Sequence, residues 1–183
     1  YMDKILTSMD IKDPGLRSLP PGVERYLVKG GGLSVIALDP NDKIEITDTE
    51  GKQKCEIVVF NKDGKPDCSL LGLKEKNDPN NIKKILSDKN ESAFQAASTL
   101  KKRNLDVGKA KASILFSDDS KAGEKVNLVS KDKCTCIFSA PGNAMKIDEQ
   151  NPPTDLLLMV KRSKPNKHKD KPNIPEPLVD PLN

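Results

Sequence analysis

The 183-residue chain has no tryptophan, a single histidine, two tyrosines and four phenylalanines. So few rings leave almost no stacking platform for nucleic-acid bases, and the interior has to be built from Ile, Leu and Val. Neither sign of charge dominates, since 31 Lys and Arg stand against 27 Asp and Glu. That balance describes a mixed, solvated surface rather than a field that steers toward a polyanion, so no nucleic-acid partner is expected. Apolar runs are short as well. None approaches the roughly 18 to 20 residues of a membrane span, and the first residues lack the basic-then-apolar pattern of a secretory leader. The expectation is a soluble, cytoplasmic protein without a membrane partner. Four cysteines are too few for a disulfide scaffold at this length, which fits a reducing compartment.

What is present is a series of short apolar runs separated by turn residues. Residues 1–15 read as a lead-in that closes on Asp13, Pro14 and Gly15, residues 16–162 as one β-rich domain, and residues 163–183 as a Lys- and Pro-rich linker or tail that also holds His168. Inside the domain, residues 24–29 and 33–38 read as strands on either side of Gly30, Gly31 and Gly32. That triplet is a turn, because a phosphate loop would lead into a helix with Lys and Ser or Thr at set offsets. Residues 43–48 and 53–61 read as a hairpin about a turn at 49–52. Helical spacing takes over from 80 to 104, with a break near Asn90. Strand signals return at 113–116, 125–130, 134–140 and 156–160. The predicted class is mainly β with a minor α part, a distorted β-sandwich or barrel carrying one helical insertion.

The sparse thiols are the best candidates for chemistry. Period two places Cys55, Ile57 and Val59 on one face of their strand and Glu56, Val58 and Phe60 on the other. Only one of Cys55 and Glu56 can then face a given site. Cys134 and Cys136 share a face with Phe138, so strand pairing could bring three or four sulfurs together, as a metal site, as disulfides or as buried unreactive thiols. Zinc favours tetrahedral thiolate coordination, and a catalytic zinc keeps one position open, so three cysteines would suffice. Against that stands the lack of a CxxC knuckle, and a CxC pair often offers one ligand and one spectator. The segment SAPGNAMKIDEQNPPTD at 139–155 has no structural period yet carries Asp148, Glu149 and Asp155. Pro152 and Pro153 stiffen the backbone before Asp155, and a rigid loop can aim a carboxylate for proton transfer. The plainer alternative is that these are solvated or turn-capping charges.

The stretches GKQKCEIVVFN at 51–61, PDCSLLGL after it, CIFSAPGNAM and QNPPTDLLLMVKR together resemble the urea carboxylase-associated, or DUF1989, family. The version they resemble is the one joined to a folate-binding aminomethyltransferase-like domain in trimethylamine N-oxide demethylases. The resemblance covers about residues 19–162. It implies a Zn2+ ion on three cysteines matching Cys55, Cys68 and one of Cys136 and Cys134, with Cys136 nearer the APG turn. It also implies a small methylated amine or amine N-oxide as substrate, cleaved by a demethylase or aldolase-type lyase to dimethylamine and formaldehyde, and tetrahydrofolate on a separate or following domain. Asp155 is then the first choice for the proton-shuttling carboxylate, followed by Glu56 and Asp148. A non-catalytic urea carboxylase-associated accessory or assembly domain is the alternative, and a plain β-domain acting as a homo-oligomerisation module is a further one.

Overall fold

The computed structural model describes residues 19–142 and 152–164. Eight strands appear there: β1 (Val23–Val28), β2 (Leu33–Leu38), β3 (Lys43–Asp48), β4 (Cys55–Asn61), β5 (Ser113–Leu115), β6 (Glu124–Val129), β7 (Cys134–Ser139) and β8 (Leu156–Lys161). They form two four-stranded antiparallel sheets, ordered β1-β8-β3-β6 and β2-β7-β4-β5, stacked as an open sandwich rather than a closed barrel. The helical insertion is two helices, α1 (Asn80–Leu86) and α2 (Glu91–Lys102), with Asn90 as the cap of the second, its side chain accepting from Ala93 N at 2.8 Å.

Residues 43–48 and 53–61 are not a hairpin. β3 pairs with β6 and β8, whereas β4 pairs with β5 and β7 in the other sheet. The turn between them crosses the end of the sandwich, and Asp48 holds it: its buried carboxylate accepts from Gly51 N (2.8 Å), Gln53 N (3.1 Å) and Ser120 Oγ (2.6 Å). Burial explains the division. β3 alternates, with Ile44 and Ile46 inside and Lys43 outside, as suits a sheet with one wet face, while β4 is buried from Cys55 through Phe60 and needs cover on both faces. The helices supply that cover. Val58 and Phe60 pack outward against Ile82, Ile85, Ala96 and Leu100, while Cys55, Ile57 and Val59 point into the layer between the sheets, with Ile44, Ile46, Phe138, Leu156 and Leu158.

Arg162 fastens one end of the sandwich. Its guanidinium forks onto Glu24 of β1 (Nε to Oε2, 2.8 Å; Nη2 to Oε1, 2.9 Å) and reaches Asp42 Oδ2 (2.7 Å) and Ala37 O (2.8 Å) with Nη1. Burial alone would raise the Asp42 carboxyl. The Ser163 and Asp39 N–H groups and Arg162 outweigh it, and Asp42 is held below the ordinary carboxylate range. Its contribution to stability is therefore complete above the unfolded carboxylate range and is lost as pH falls through the lower folded value. Replacing Arg162 by Met leaves the buried Asp42 carboxylate without its cation and should cost about 3–5 kcal/mol in urea unfolding. The loss should shrink in acid as Asp42 is protonated.

Candidate functional site

All four cysteines face the layer between the sheets, are at most 2% exposed and are free thiols. They are not gathered at one point. Cys134 and Cys136 lie side by side on β7 with 3.7 Å between sulfurs. The Ser130 hydroxyl sits 3.3 Å from Cys134 Sγ and donates to Asp132 O at 2.6 Å. Cys68 begins a 3-10 turn on the far side of β4, with Sγ 3.9 Å from Ile57 O and 3.7 Å from Lys111 O. Cys55 is further off. The register sets Val59 against Cys136 and Glu56 against Ser139, so Cys55 lies four residues beyond the Cys136 level, roughly 13 Å along the strand. Among the described residues no three His, Cys, Asp or Glu side chains converge on one metal-sized point.

The pair itself has the spacing a soft metal needs. Two sulfurs each about 2.3 Å from a tetrahedral zinc stand about 3.8 Å apart, close to the separation seen here. Their protons are shared unevenly. The hydrogen bond from Cys136 favours the Cys134 thiolate over the cost of burial, so Cys134 titrates below an ordinary thiol, while the same bond, burial and the charges of Cys134 and Cys68 push Cys136 well up. Cys68 is pushed up to about 11, chiefly by burial with help from Glu75 and Asp67, and burial with Glu56 nearby also raises Cys55.

The carboxylates are distributed differently from the thiols. Glu56 points away from them, under the helices, where its oxygens accept from Asn81 N (3.2 Å) and Ile82 N (2.8 Å). It is thus the N-terminal cap of α1, whose own cap position is Pro79 and has no side-chain bond to give. Asp155 sits at the end of the sandwich nearer Cys55, its Oδ1 accepting from Gly30 N at 2.8 Å. Asp148 and Glu149 lie outside the described residues. The acids whose charges bear on Cys134 are Asp42 and Asp132. Sequence reading missed both, and the signal available was that each stands in a turn flanking the strand that pairs with β7 or β7 itself.

Gln53 and Gly30 were also missed. The Gln53 side chain donates to Pro141 O (2.7 Å) and accepts from Thr154 N (2.8 Å), tying together the two ends of the link between β7 and β8. Gly30 lies so close to Pro153 that a Cβ there would come within 2.2 Å of its carbonyl oxygen. The glycine triplet is therefore a seat for the PPTD segment as well as a turn.

Two antiparallel sheets around a buried thiol pair define a mainly β domain with a candidate soft-metal centre. By sequence the chain is 33% identical over 172 residues to the trimethylamine-oxide aldolase of Ruegeria pomeroyi, matching 94% of this chain and 22% of that protein. The chain is a relative of that segment, as the motifs around Cys55 and PPTD indicated, and spans about a fifth of the relative's length. No family model matches it. Among solved structures, a DUF1989 family protein from Silicibacter pomeroyi aligns over 91% of this chain and 89% of its own, with a TM-score of 0.43 and 11% identity, too loose a likeness to argue from. No helix among the described residues is long and apolar enough to cross a membrane.

Two outcomes follow for stability. Gly30→Ala should cost about 1–3 kcal/mol, measured by thermal or urea unfolding, because the added methyl meets backbone rather than a mobile side chain. Glu56→Ala should cost about 1–3 kcal/mol by stranding two buried amides, whereas Glu56→Gln should stay within about 1 kcal/mol of wild type. Burial raises the Glu56 carboxyl, against the opposing bonds from Ile82, Asn81 and Ser139. The folded state thus binds a proton before the unfolded chain does, and wild type should gain on Glu56→Gln as pH drops from about 7 to about 5.

Proposed function

We propose that this chain is the metal-holding domain of a trimethylamine N-oxide demethylase-like lyase, working in the cytoplasm, with Cys134 and Cys136 both as zinc ligands and Cys68 as the third. The observation that carries the reading is the 3.7 Å sulfur pair, in a chain related across 94% of its length to a trimethylamine-oxide aldolase. Cys68 is taken as the third because it belongs to the same apolar layer, and holding a metal with the pair would draw it in from the far side of β4. Cys55, the expected first ligand, stands too far along β4. A zinc ion bound there would supply Lewis acidity toward the oxygen of a small amine N-oxide.

Cleavage of trimethylamine N-oxide to dimethylamine and formaldehyde conserves every atom and needs no outside oxidant. It does need protons moved between a methyl carbon, oxygen and nitrogen, which is work for a carboxylate. Asp155 remains the candidate named by the resemblance, with Asp148 seven residues before it. Asp42 and Asp132 are the carboxylates whose charges bear on Cys134, although Asp42 is already committed to Arg162. Glu56 is better explained as the cap of α1. Formaldehyde would then pass to tetrahydrofolate on an aminomethyltransferase-like domain, for which the relative, only 22% of which is matched, has ample length.

Burial favours the alternative of a non-catalytic accessory domain, since every thiol is at most 2% exposed. Metal content and product formation separate the two. Protein purified without added metal should carry about one zinc per chain. Cys134→Ser and Cys136→Ser should each lose it, Cys55→Ser should keep it, and formaldehyde release from trimethylamine N-oxide should fall with the zinc. A metal-free wild type, or zinc that survives both substitutions, contradicts the metal centre. Zinc without formaldehyde favours the accessory domain.

A further inference from the structure

On the outer face of the second sheet, beyond the edge of the helical cover, lies a hollow of about 380 Å³. Its floor is the end of the β2–β7 pair, where Ala37 stands opposite Thr135, and Cys134 forms part of the wall. Three cations from three separate segments line it: Lys62 from the turn after β4, Arg103 from the C-terminal end of α2, and Lys133 from the turn before β7. Asp63 is the one carboxylate among the lining residues. Asn61 contributes a donor. Its Oδ1 is used by the Asp63 and Lys65 amides, both at 2.9 Å, which leaves Nδ2 as the end not used in the turn.

We propose that this hollow binds a small oxyanion, a phosphate or carboxylate group of a metabolite. Three cations around one concave surface repel a methylated ammonium and attract an anion. The ion pair that Lys62 makes with Asp132 is long, 3.9 Å, and both side chains are about half exposed or more, so it yields readily to a bound anion. The volume lies within the range of small-metabolite pockets. The hollow borders the thiol pair through Cys134, but anion binding there does not depend on the thiols holding metal.

Titrating the 183-residue chain with inorganic phosphate at constant ionic strength, followed by backbone amide NMR, tests it. Saturable shifts are expected at Lys62, Gly64, Asn104 and Thr135, with half-saturation on the order of 1 mM. The double substitution Arg103→Gln, Lys133→Gln should weaken binding about tenfold or more while the rest of the spectrum is unchanged. Asp63→Asn should tighten it, a gain that no folding defect can produce. Shifts that fail to saturate, that scatter over the molecule, or that persist undiminished in the double variant would overturn the proposal. Succinate in a parallel titration distinguishes the two oxyanions: tighter binding of either assigns the group, and binding of neither overturns the site.

Discussion

At each of the first three passages from one sheet to the other the chain leaves the hydrogen-bonded ladder, and buried or half-buried carboxylates take up backbone N–H groups set free there. β1, β2, β3 and β4 alternate between the two sheets, so the chain crosses the sandwich three times in its first four strands. Asp155 accepts from Gly30 at the first crossing, Asp42 from Asp39 and Ser163 at the second, and Asp48 from Gly51 and Gln53 at the third. Glu56 does the same for the start of α1. Hydrogen bonds to a charged group are worth about 1.5–3 kcal/mol and leave a costly orphan when one partner is lost. These four acids explain how a chain with few aromatic anchors keeps two sheets in register.

The same arrangement separates the chemistry. Carboxylates occupy the ends and the outer face of the sandwich, where backbone amides need them, while the thiols occupy the apolar layer between the sheets. At one end Gln53, Gly30 and Asp155 secure the link between β7 and β8. Toward the other end Arg162 and Asp42 brace the region around Cys134 and Cys136. A metal at the thiol pair would thus rest on strands pinned from both sides, which is how a rigid scaffold holds ligands in a fixed geometry.

Most strand positions and the helical insertion were legible because period two and helical spacing are local properties. Pairing was not. The turn at 49–52 has the composition of a hairpin turn, and what sends β4 into the other sheet is its need for cover on both faces, a signal present in CEIVVF but visible only by contrast with KIEITD. The thiol pair was legible as CxC on one strand face. The distance of Cys55 from that pair was not, since it depends on register: four residues of offset along β4 are invisible until its partner strand is known. Glu56 looked like a candidate acid, yet the helix it caps lies 25 and 26 residues downstream.

Zinc K-edge X-ray absorption on the purified chain tests the metal centre most directly. A first shell rich in sulfur at about 2.3 Å, reduced in both Cys134→Ser and Cys136→Ser and unchanged in Cys55→Ser, is the predicted result. A shell of nitrogen and oxygen alone, or a sulfur shell insensitive to either member of the pair, would contradict the assignment of that pair as the metal-holding centre.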